Sequence, residues 1–227
     1  MCVSLYNAMN DILRMEYFKN ENHKSGNVCF GHESAVAQKL SDNGFSVFLK
    51  ENFSKLNKKI FNEWLTSEDD SILENIMNLP SGSYILQPLG SQSFPDILVK
   101  DFSGRFIAIE CKSSSGQTPM WNDNLPKPKA IYVLSSNKEN ATTAFMAKDV
   151  IDDSLVASRD QMIKELMGIV NKYNKIHETL DIHNRGWNTT FRQQNFQVGG
   201  KKKNDYFNHE QRELCERNAL EFARGYE

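Results

Sequence analysis

Three charged residues near the middle of the chain are spaced so that their side chains could meet. Thirteen residues separate Asp96 from Glu110, and a single residue separates Glu110 from Lys112. Because alternate side chains of a strand share a face, a strand over 105–112 would project Glu110 and Lys112 in the same direction. A strand over 96–100 that pairs with it would bring Asp96 to the same polar edge. The apolar residues on the opposite face would be Ile107, Ile109 and Cys111.

Two carboxylates that converge beside a lysine suit the hydrolysis of a phosphodiester. Hard oxygen ligands bind Mg²⁺, and the bound metal polarises the phosphate and lowers the pKa of a bound water. Asp96 and Glu110 are therefore the expected metal ligands, with the backbone carbonyl of Cys111 as a candidate third ligand. Lys112 would orient or deprotonate the water and stabilise the developing negative charge. A glutamate and a lysine near a strand end are also often merely solvated, so the triplet alone decides nothing.

Three longer strings surround these residues in order: QPLGSQSFPDILV, IAIECKSS and PMWNDNLPKPKAIYVLSS. Together they resemble the PD-(D/E)xK nuclease superfamily and, within it, a group of type II restriction endonucleases, closely so over about residues 84–136. The resemblance implies a restriction-endonuclease-like central mixed sheet flanked by helices, in which Asp96, Glu110 and Lys112 match the superfamily triad. It also implies Mg²⁺-dependent hydrolysis of double-stranded DNA to 5′-phosphate and 3′-hydroxyl ends, typically by a homodimer.

The resemblance suggests further site residues. Many superfamily members bring an acid from an early helix toward the metal, and Glu33 occupies such a helix here; the alternative is a solvated helical glutamate. Its neighbour His32 is as well explained by capping or packing. Gln92, in the GSQ turn, could donate to the scissile phosphate or support a metal-bound water, or be an ordinary turn residue. Ser113 and Ser114 either touch phosphate or simply end the catalytic strand.

Two other segments are candidates for contact with DNA. The loop at 116–128 carries amides between prolines; Asn122 and Asn124 are its best candidates, whereas Trp121 is better explained as a core anchor. The segment at 183–203 mixes arginines, amides and aromatics. Amides suit adenine and arginines suit guanine or phosphate, which hints at an A/T-containing recognition site. Its candidates are Arg185, Asn188, Arg192, Gln193, Gln194 and Asn195, and a lysine run that either neutralises phosphates or is solvated, Lys201, Lys202 and Lys203.

Helices and short strands must position these residues. Apolar spacing predicts helices over 31–43, 53–66 and 158–178, and a final amphipathic helix within 205–227. The third of these is expected to pack in the core or to supply a dimer surface. Strands are predicted within 84–100, 105–112 and 130–136. The mixture indicates an α/β or mixed α+β fold. We expect a single domain over 1–227, with its catalytic core at about 31–136.

Composition narrows the class of protein. With 39% hydrophobic and 25% charged residues, the 227-residue chain is expected to fold as one globular domain. No stretch is apolar for long enough to predict a membrane span, and a cytoplasmic location is expected. A net charge of −2 means that DNA contact must use a local patch. The four cysteines are scattered without a CxxC pair, so a zinc site is not indicated. No nucleotide cofactor is expected.

Three functions agree with the triad and the 183–203 segment to different degrees. A site-specific type II restriction endonuclease is favoured, because 183–203 offers residues that could contact bases. A repair or recombination nuclease of the same superfamily would share the triad without such a segment. A DNA-binding protein without catalytic activity is disfavoured, because no triad position is substituted.

Overall fold

The computed structural model of the chain describes residues 4–17, 29–49, 56–67, 69–91, 93–122, 125–190, 194–195, 197 and 204–225. Its architecture is mixed α+β: a six-stranded mixed sheet is flanked by helices, which confirms the expected fold class. Within the described ranges, none of the helices combines the length and the apolar character that crossing a membrane requires.

Among the described residues, six consecutive strands are flanked along the chain by mostly helical segments. The helices are α1 (Leu5–Leu13), α2 (Cys29–Asp42), α3 (Lys58–Thr66), α4 (Ser71–Glu74), α5 (Ala147–Val150), α6 (Asp153–Leu180) and α7 (Arg212–Arg224). The strands are β1 (Ser46–Val47), β2 (Ser83–Leu86), β3 (Ile97–Lys100), β4 (Phe106–Ser114), β5 (Trp121–Asn122), β6 (Ala130–Ser136), β7 (Ala141–Met146) and β8 (Gln194–Asn195). The main sheet has the order β1-β2-β3-β4-β6-β7, and β5 and β8 form a separate antiparallel pair.

Local signals set several of these boundaries. The helix predicted from residue 53 begins only at Lys58, because the side chain of Asn57 caps it by accepting hydrogen bonds from the amides of Lys59 and Ile60. Helix α2 ends as predicted just before Gly44, whose φ of +83° lies in the left-handed region. The final helix covers only part of the predicted 205–227 and starts at Arg212.

Strand pairing brings the central segments together. Strands β3 and β4 form an antiparallel hairpin in which Ile97 lies opposite Ile109. The pairing predicted between the two acid-bearing segments is therefore confirmed. Strand β4 also pairs in parallel with β6, with Glu110 opposite Tyr132. This makes β4 an interior strand of the sheet, and its side chains up to Cys111 are buried.

Each face of the sheet is covered by its own hydrophobic cluster. Helices α1, α2 and α7 pack on one face, and helices α3 and α4 pack on the other. The alternation along β4 follows the prediction, since one face receives Ile107, Ile109 and Cys111 and the other receives Phe106 and Ala108. Glu110 and Lys112 occupy the alternate positions that continue the second set.

Helix α6 does not pack in the core, contrary to one of the two expectations for it. None of its 28 residues is buried. The chain after it runs back along the helix, where the side-chain amide of Asn174 exchanges two hydrogen bonds of 2.8 Å with the backbone of Thr189. An amphipathic pattern specifies an apolar face but not the surface that covers it, so the sequence alone left the two outcomes open.

Candidate active site

The β3–β4 hairpin places the two triad acids side by side. Asp96 directly precedes β3, and its backbone amide donates a hydrogen bond to Oε2 of Glu110 at 3.2 Å. In return, the backbone amide of Cys111 donates to Oδ2 of Asp96 at 2.7 Å. Each carboxylate is therefore held by the backbone of the other strand. The structure brings Asp96 and Glu110 together, as the spacing predicts. They meet at the end of the β3–β4 hairpin opposite its turn, which we call the polar edge.

Lys112 completes the cluster from the same face of β4. Its Nζ donates to Oε1 of Glu110 at 2.7 Å. The side chain of Glu110 is 11% exposed and that of Lys112 is 23% exposed, so solvent screens their attraction only partly. Because the ammonium group and the two carboxylates share one edge, a phosphate that entered there would meet an acid pair and a fixed cation together.

Burial and crowding of negative charge shift the titration of Asp96. Removal from water is the main cause that raises the pKa of this carboxyl, and the charges of Glu110 and Glu33 add to the rise, so the pKa reaches about 8. The hydrogen bond from the amide of Cys111 and the charge of Lys112 act in the opposite direction. Three carboxyl groups thus share the cluster with the ammonium group of Lys112, and a bound cation would favour the ionised form of Asp96.

Glu33 lies beside the triad rather than on a free helix surface. It is half-buried on α2, and burial is the largest effect that raises the pKa of its carboxyl, with the charge of Glu110 adding to it. The side-chain amide of Gln87 donates to Oε2 of Glu33 at 3.0 Å and opposes that rise. His32 instead packs: it is 3% exposed, its Nε2 lies 3.2 Å from the carbonyl oxygen of Val133, and burial lowers its pKa.

Gln87 is a site residue that sequence reasoning missed. It follows β2 with a φ of +46°, an uncommon conformation for a residue other than glycine. In this conformation its backbone amide donates to the carbonyl of Asp96 at 2.6 Å while its side chain reaches Glu33. Gln87 therefore links the two acids. The available signal was a second amide in the string that contains Gln92, and Gln92 itself lies outside the described residues.

Lys127 is a second residue that the sequence did not single out. Its Nζ lies 5.3 Å from the ring centroid of Phe94, two residues before Asp96, and donates to Oδ1 of Asn62 at 3.3 Å. Its backbone amide donates to the hydroxyl of Tyr132 at 2.7 Å, and Tyr132 lies opposite Glu110 in the sheet. Burial lowers the pKa of Lys127, whereas the charge of Glu110 raises it. A half-buried cation therefore stands near the acid pair.

The donor set of this edge fits a magnesium ion. Magnesium prefers oxygen ligands, keeps several of its waters and is commonly held by one or two carboxylates. The carboxylates of Asp96 and Glu110 meet that requirement, with the backbone carbonyl of Cys111 as a candidate third ligand. Among the described residues no group of three or more His, Cys, Asp or Glu side chains is gathered closely enough to hold a metal alone. The Cys111 thiol is buried on the other face, and burial raises its pKa well above its ordinary value.

The other candidates near the site, in the loop at 116–128 and at the end of β4, have different surroundings. Trp121 is 5% exposed and packs edge-to-face on Tyr132 at 5.5 Å, so its interpretation as a core anchor is confirmed. The backbone of Asn122 pairs with that of Gln194 between β5 and β8. Ser113 and Ser114 are half-buried at the end of β4, where the hydroxyl of Ser114 accepts a hydrogen bond from the following turn.

Of the proposed DNA-contacting residues of 183–203, the structure describes the side chains of Arg185, Asn188 and Asn195 only, and Asn195 lies apart from the other two. Arg185 and Asn188 are exposed on the segment that runs back along α6. They lie beyond Asn174, more than about 20 Å along the helix from Arg159. The Oδ1 atom of Asn195 accepts a 3.0 Å hydrogen bond from Arg159 and is held inside the protein. Outside the described residues lie Asn124, Arg192, Gln193, Lys201, Lys202 and Lys203, and the side chains of Asn122 and Gln194 are likewise not described.

Comparisons of the chain with protein-family models, with curated proteins and with solved structures returned no match.

Proposed function

We propose that the chain is a Mg²⁺-dependent endonuclease that cleaves double-stranded DNA, of the type II restriction class. The observation that carries the proposal is the reciprocal hydrogen bonding of Asp96 and Glu110 across the β3–β4 hairpin, with Lys112 bound to Glu110 at 2.7 Å. Two partly buried carboxylates and a lysine at one edge of a sheet supply the groups that metal-assisted phosphodiester hydrolysis requires. The resemblance of residues 84–136 to PD-(D/E)xK nucleases supports the same reaction.

Each residue has a defined task in the proposed reaction. Asp96 and Glu110 would hold Mg²⁺, which supplies Lewis acidity toward the phosphate and a bound water of lowered pKa. Lys112 donates to Glu110 through Nζ, which fixes the ammonium group beside the acid pair. From there it orients the attacking water and stabilises negative charge on the phosphoryl oxygens. Gln87, in the turn after β2, binds the backbone of Asp96 and the side chain of Glu33 on α2.

We assign contacts with the DNA backbone to one cation near the acid pair and to two exposed residues farther away. Lys127 is half-buried near the acid pair and would bind a phosphate next to the scissile one. Arg185 and Asn188, exposed along α6, would reach the duplex farther from the cleavage site. An A/T-containing recognition site, a homodimer that cuts both strands and a cytoplasmic location belong to the same proposal.

Mapping of DNA ends tests the proposal directly. The full chain is incubated with a long sequenced duplex in Mg²⁺, with parallel reactions in EDTA and with Glu110→Gln. Glu213→Gln, a change of the same type at an exposed residue of α7, is the matched control. Discrete fragments that share one short sequence are expected from the wild type and from Glu213→Gln only. Cleavage that survives in Glu110→Gln or in EDTA contradicts the proposed site, and cleavage confined to branched DNA supports the repair or recombination nuclease instead.

A further inference from the structure

Helix α6 carries a row of exposed apolar side chains. Although the helix is 28 residues long, none of its residues is buried. Leu155, Ile169 and Tyr173 are each more than half exposed, and Leu180 is 68% exposed. Extended apolar surface of this kind marks a site of interaction, because a monomeric protein rarely leaves it in water.

The apolar side chains follow a seven-residue repeat. Four of them, Leu155, Met162, Ile169 and Ile176, are spaced seven residues apart. A second row four residues farther on contains Leu166, Tyr173 and Leu180. Spacings of four and three in alternation define the a and d positions of a coiled coil, and here they cover more than three heptads. We name the six exposed members the α6 stripe: Leu155, Met162, Ile169, Tyr173, Ile176 and Leu180.

Among the described residues, the segment that follows the helix contacts it at two polar positions, Arg159 and Asn174. Asn174 binds the backbone of Thr189, and Arg159 binds the side chain of Asn195. Arg159 is the polar member of the second row, and its side chain is only 14% exposed because it turns toward this returning segment. The returning segment therefore occupies the polar position of the second row, whereas the six apolar side chains of the α6 stripe stay exposed.

We propose that the α6 stripe binds the same stripe of a second copy of this chain as an antiparallel coiled coil. In this arrangement the two rows of one helix meet those of the other in reverse order. Leu155 lies opposite Leu180, Met162 opposite Tyr173, and Leu166 opposite Ile169. The remaining pair sets Ile176 against Arg159, whose head group turns away to Asn195. Two-fold symmetry repeats every pair, so one surface is complementary to itself, as a closed dimer requires.

Charge on the flank of the stripe selects the antiparallel direction. Glu165 and Lys172 occupy successive g positions of the repeat. In an antiparallel pair g positions face g positions, which sets Glu165 of one copy against Lys172 of the other, twice. In a parallel pair g positions face e positions, so Glu165 meets Val170 and Lys172 meets His177. The parallel arrangement therefore gains no ion pair between the two copies.

The interface gives the homodimer of the proposed function a contact surface, but its evidence comes from α6 alone, so failure of the interface would leave the proposed cleavage site untouched. The measurement is the mass of the full chain in solution by analytical ultracentrifugation over a range of protein concentrations. We expect a dimer of the 26.1 kDa chain. Ile169→Glu places a charge at the centre of the stripe and is expected to raise the dissociation constant at least a hundredfold. Met167→Glu, on another side of the helix, is the matched control and is expected to leave the dimer intact.

A charge exchange tests the direction of the helices and avoids loss of the apolar contact. Glu165→Lys and Lys172→Glu are each expected to weaken the dimer by about tenfold, because each sets like charges against each other. The double variant restores opposite charges and is expected to restore the dimer. Lys164→Glu, an exposed residue away from the stripe, controls for the change in net charge. A monomeric wild type, or a dimer that persists in a folded Ile169→Glu variant, overturns the interface; two weak single variants without restoration in the double overturn the antiparallel arrangement.

Discussion

The backbone amide of Cys111 donates a 2.7 Å hydrogen bond to Oδ2 of Asp96. This contact crosses from β4 to the start of β3, so the hairpin itself positions the carboxylate. The amide of Asp96 returns a hydrogen bond to Glu110. The two acids are thus fixed before any ligand binds, at the cost of placing like charges in a partly buried edge. Preorganisation of this kind favours a cation, and it destabilises the fold when no cation is bound.

Asp96→Asn is expected to stabilise the metal-free protein at alkaline pH. Burial raises the pKa of Asp96 to about 8, whereas an unfolded aspartate has a pKa of about 3.9. Between these values the folded chain holds a proton that the unfolded chain has released, so stability decreases as the pH rises through this window. Asparagine carries no such charge and its oxygen can still accept from Cys111. In EDTA at pH 9 we expect a Tm at least about 2–4 °C above that of the wild type.

Thermal unfolding at pH 5 and pH 9 checks this expectation. The difference in Tm between Asp96→Asn and the wild type should be larger at pH 9, where the wild-type carboxyl is ionised. Glu178→Gln, at an exposed position of α6, should track the wild type at both values. A difference that does not change with pH would show that the carboxylate of Asp96 is not destabilised by its surroundings.

Gln87→Leu is expected to slow DNA cleavage with little change in stability. Its side-chain amide donates to Glu33 and its backbone amide donates to Asp96. Leucine of similar size removes only the first of these contacts. Because partners that orient metal-site residues typically matter by about 10–100-fold, we expect a decrease of that order in the single-turnover rate.

The matched control is Gln38→Leu on α2, whose side chain bonds to exposed Asp42. It should cleave at the wild-type rate. The rate is measured at saturating Mg²⁺, and thermal unfolding confirms that both variants are folded. An unchanged rate in Gln87→Leu would leave Glu33 and its amide partner without a role in the reaction.

Much of the site follows from the sequence, and the reason is local. Asp96, Glu110 and Lys112 sit on two adjacent strands joined by a short turn, so alternation along the strands and a single pairing bring them together. Gln87 and Lys127 depend on longer-range relationships. Gln87 reaches Glu33 only because its φ is +46° and because α2 packs beside the sheet, and neither is visible in residue types.

The elements of the fold also differ in how far the sequence could predict them. The strands with dense apolar runs and the helices with clear periodicity were predictable, and their ends depended on caps such as Asn57. Strand β7 was missed because threonine and alanine make ATTAFM only weakly hydrophobic, although five of its six residues are buried. For α6 the sequence left core packing and a dimer surface both open, because periodicity does not tell whether an apolar face meets its own core or another chain.

Lys127→Met is expected to weaken DNA binding evenly across sequences. The ammonium group lies over Phe94 near the acid pair, and its hydrogen bond goes to the neutral side-chain amide of Asn62. If it binds a phosphate, its loss should reduce the slope of log K against log salt concentration by about 1. Methionine retains the apolar stem of the side chain, so packing on Phe94 should survive.

Binding is measured by fluorescence anisotropy on a mixed-sequence duplex, with Ca²⁺ in place of Mg²⁺ to prevent cleavage. Lys129→Met is the matched control: that ammonium group lies 5.4 Å from the ring centroid of Trp64, and Asp70 already provides it with a carboxylate at 4.0 Å. Its salt slope should stay close to that of the wild type. Equal slopes for the two variants would exclude a phosphate contact by Lys127.

Asp101→Ala is expected to destabilise the protein through the turn that joins β3 to β4. Oδ1 of Asp101 accepts hydrogen bonds from the amides of Ser103 and Arg105 and from the hydroxyl of Ser103, and Oδ2 pairs with the guanidinium of Arg105. The Asp101 side chain is only 7% exposed, and its loss leaves the partly buried donors of Ser103 and Arg105 without this acceptor. We expect a decrease of about 2–4 kcal/mol in the free energy of unfolding, measured in urea. Ser103→Ala removes a single donor and should cost about 1 kcal/mol. If the two variants are equally stable, the hairpin does not depend on Asp101, and the register that aligns Asp96 with Glu110 must be held by strand pairing alone.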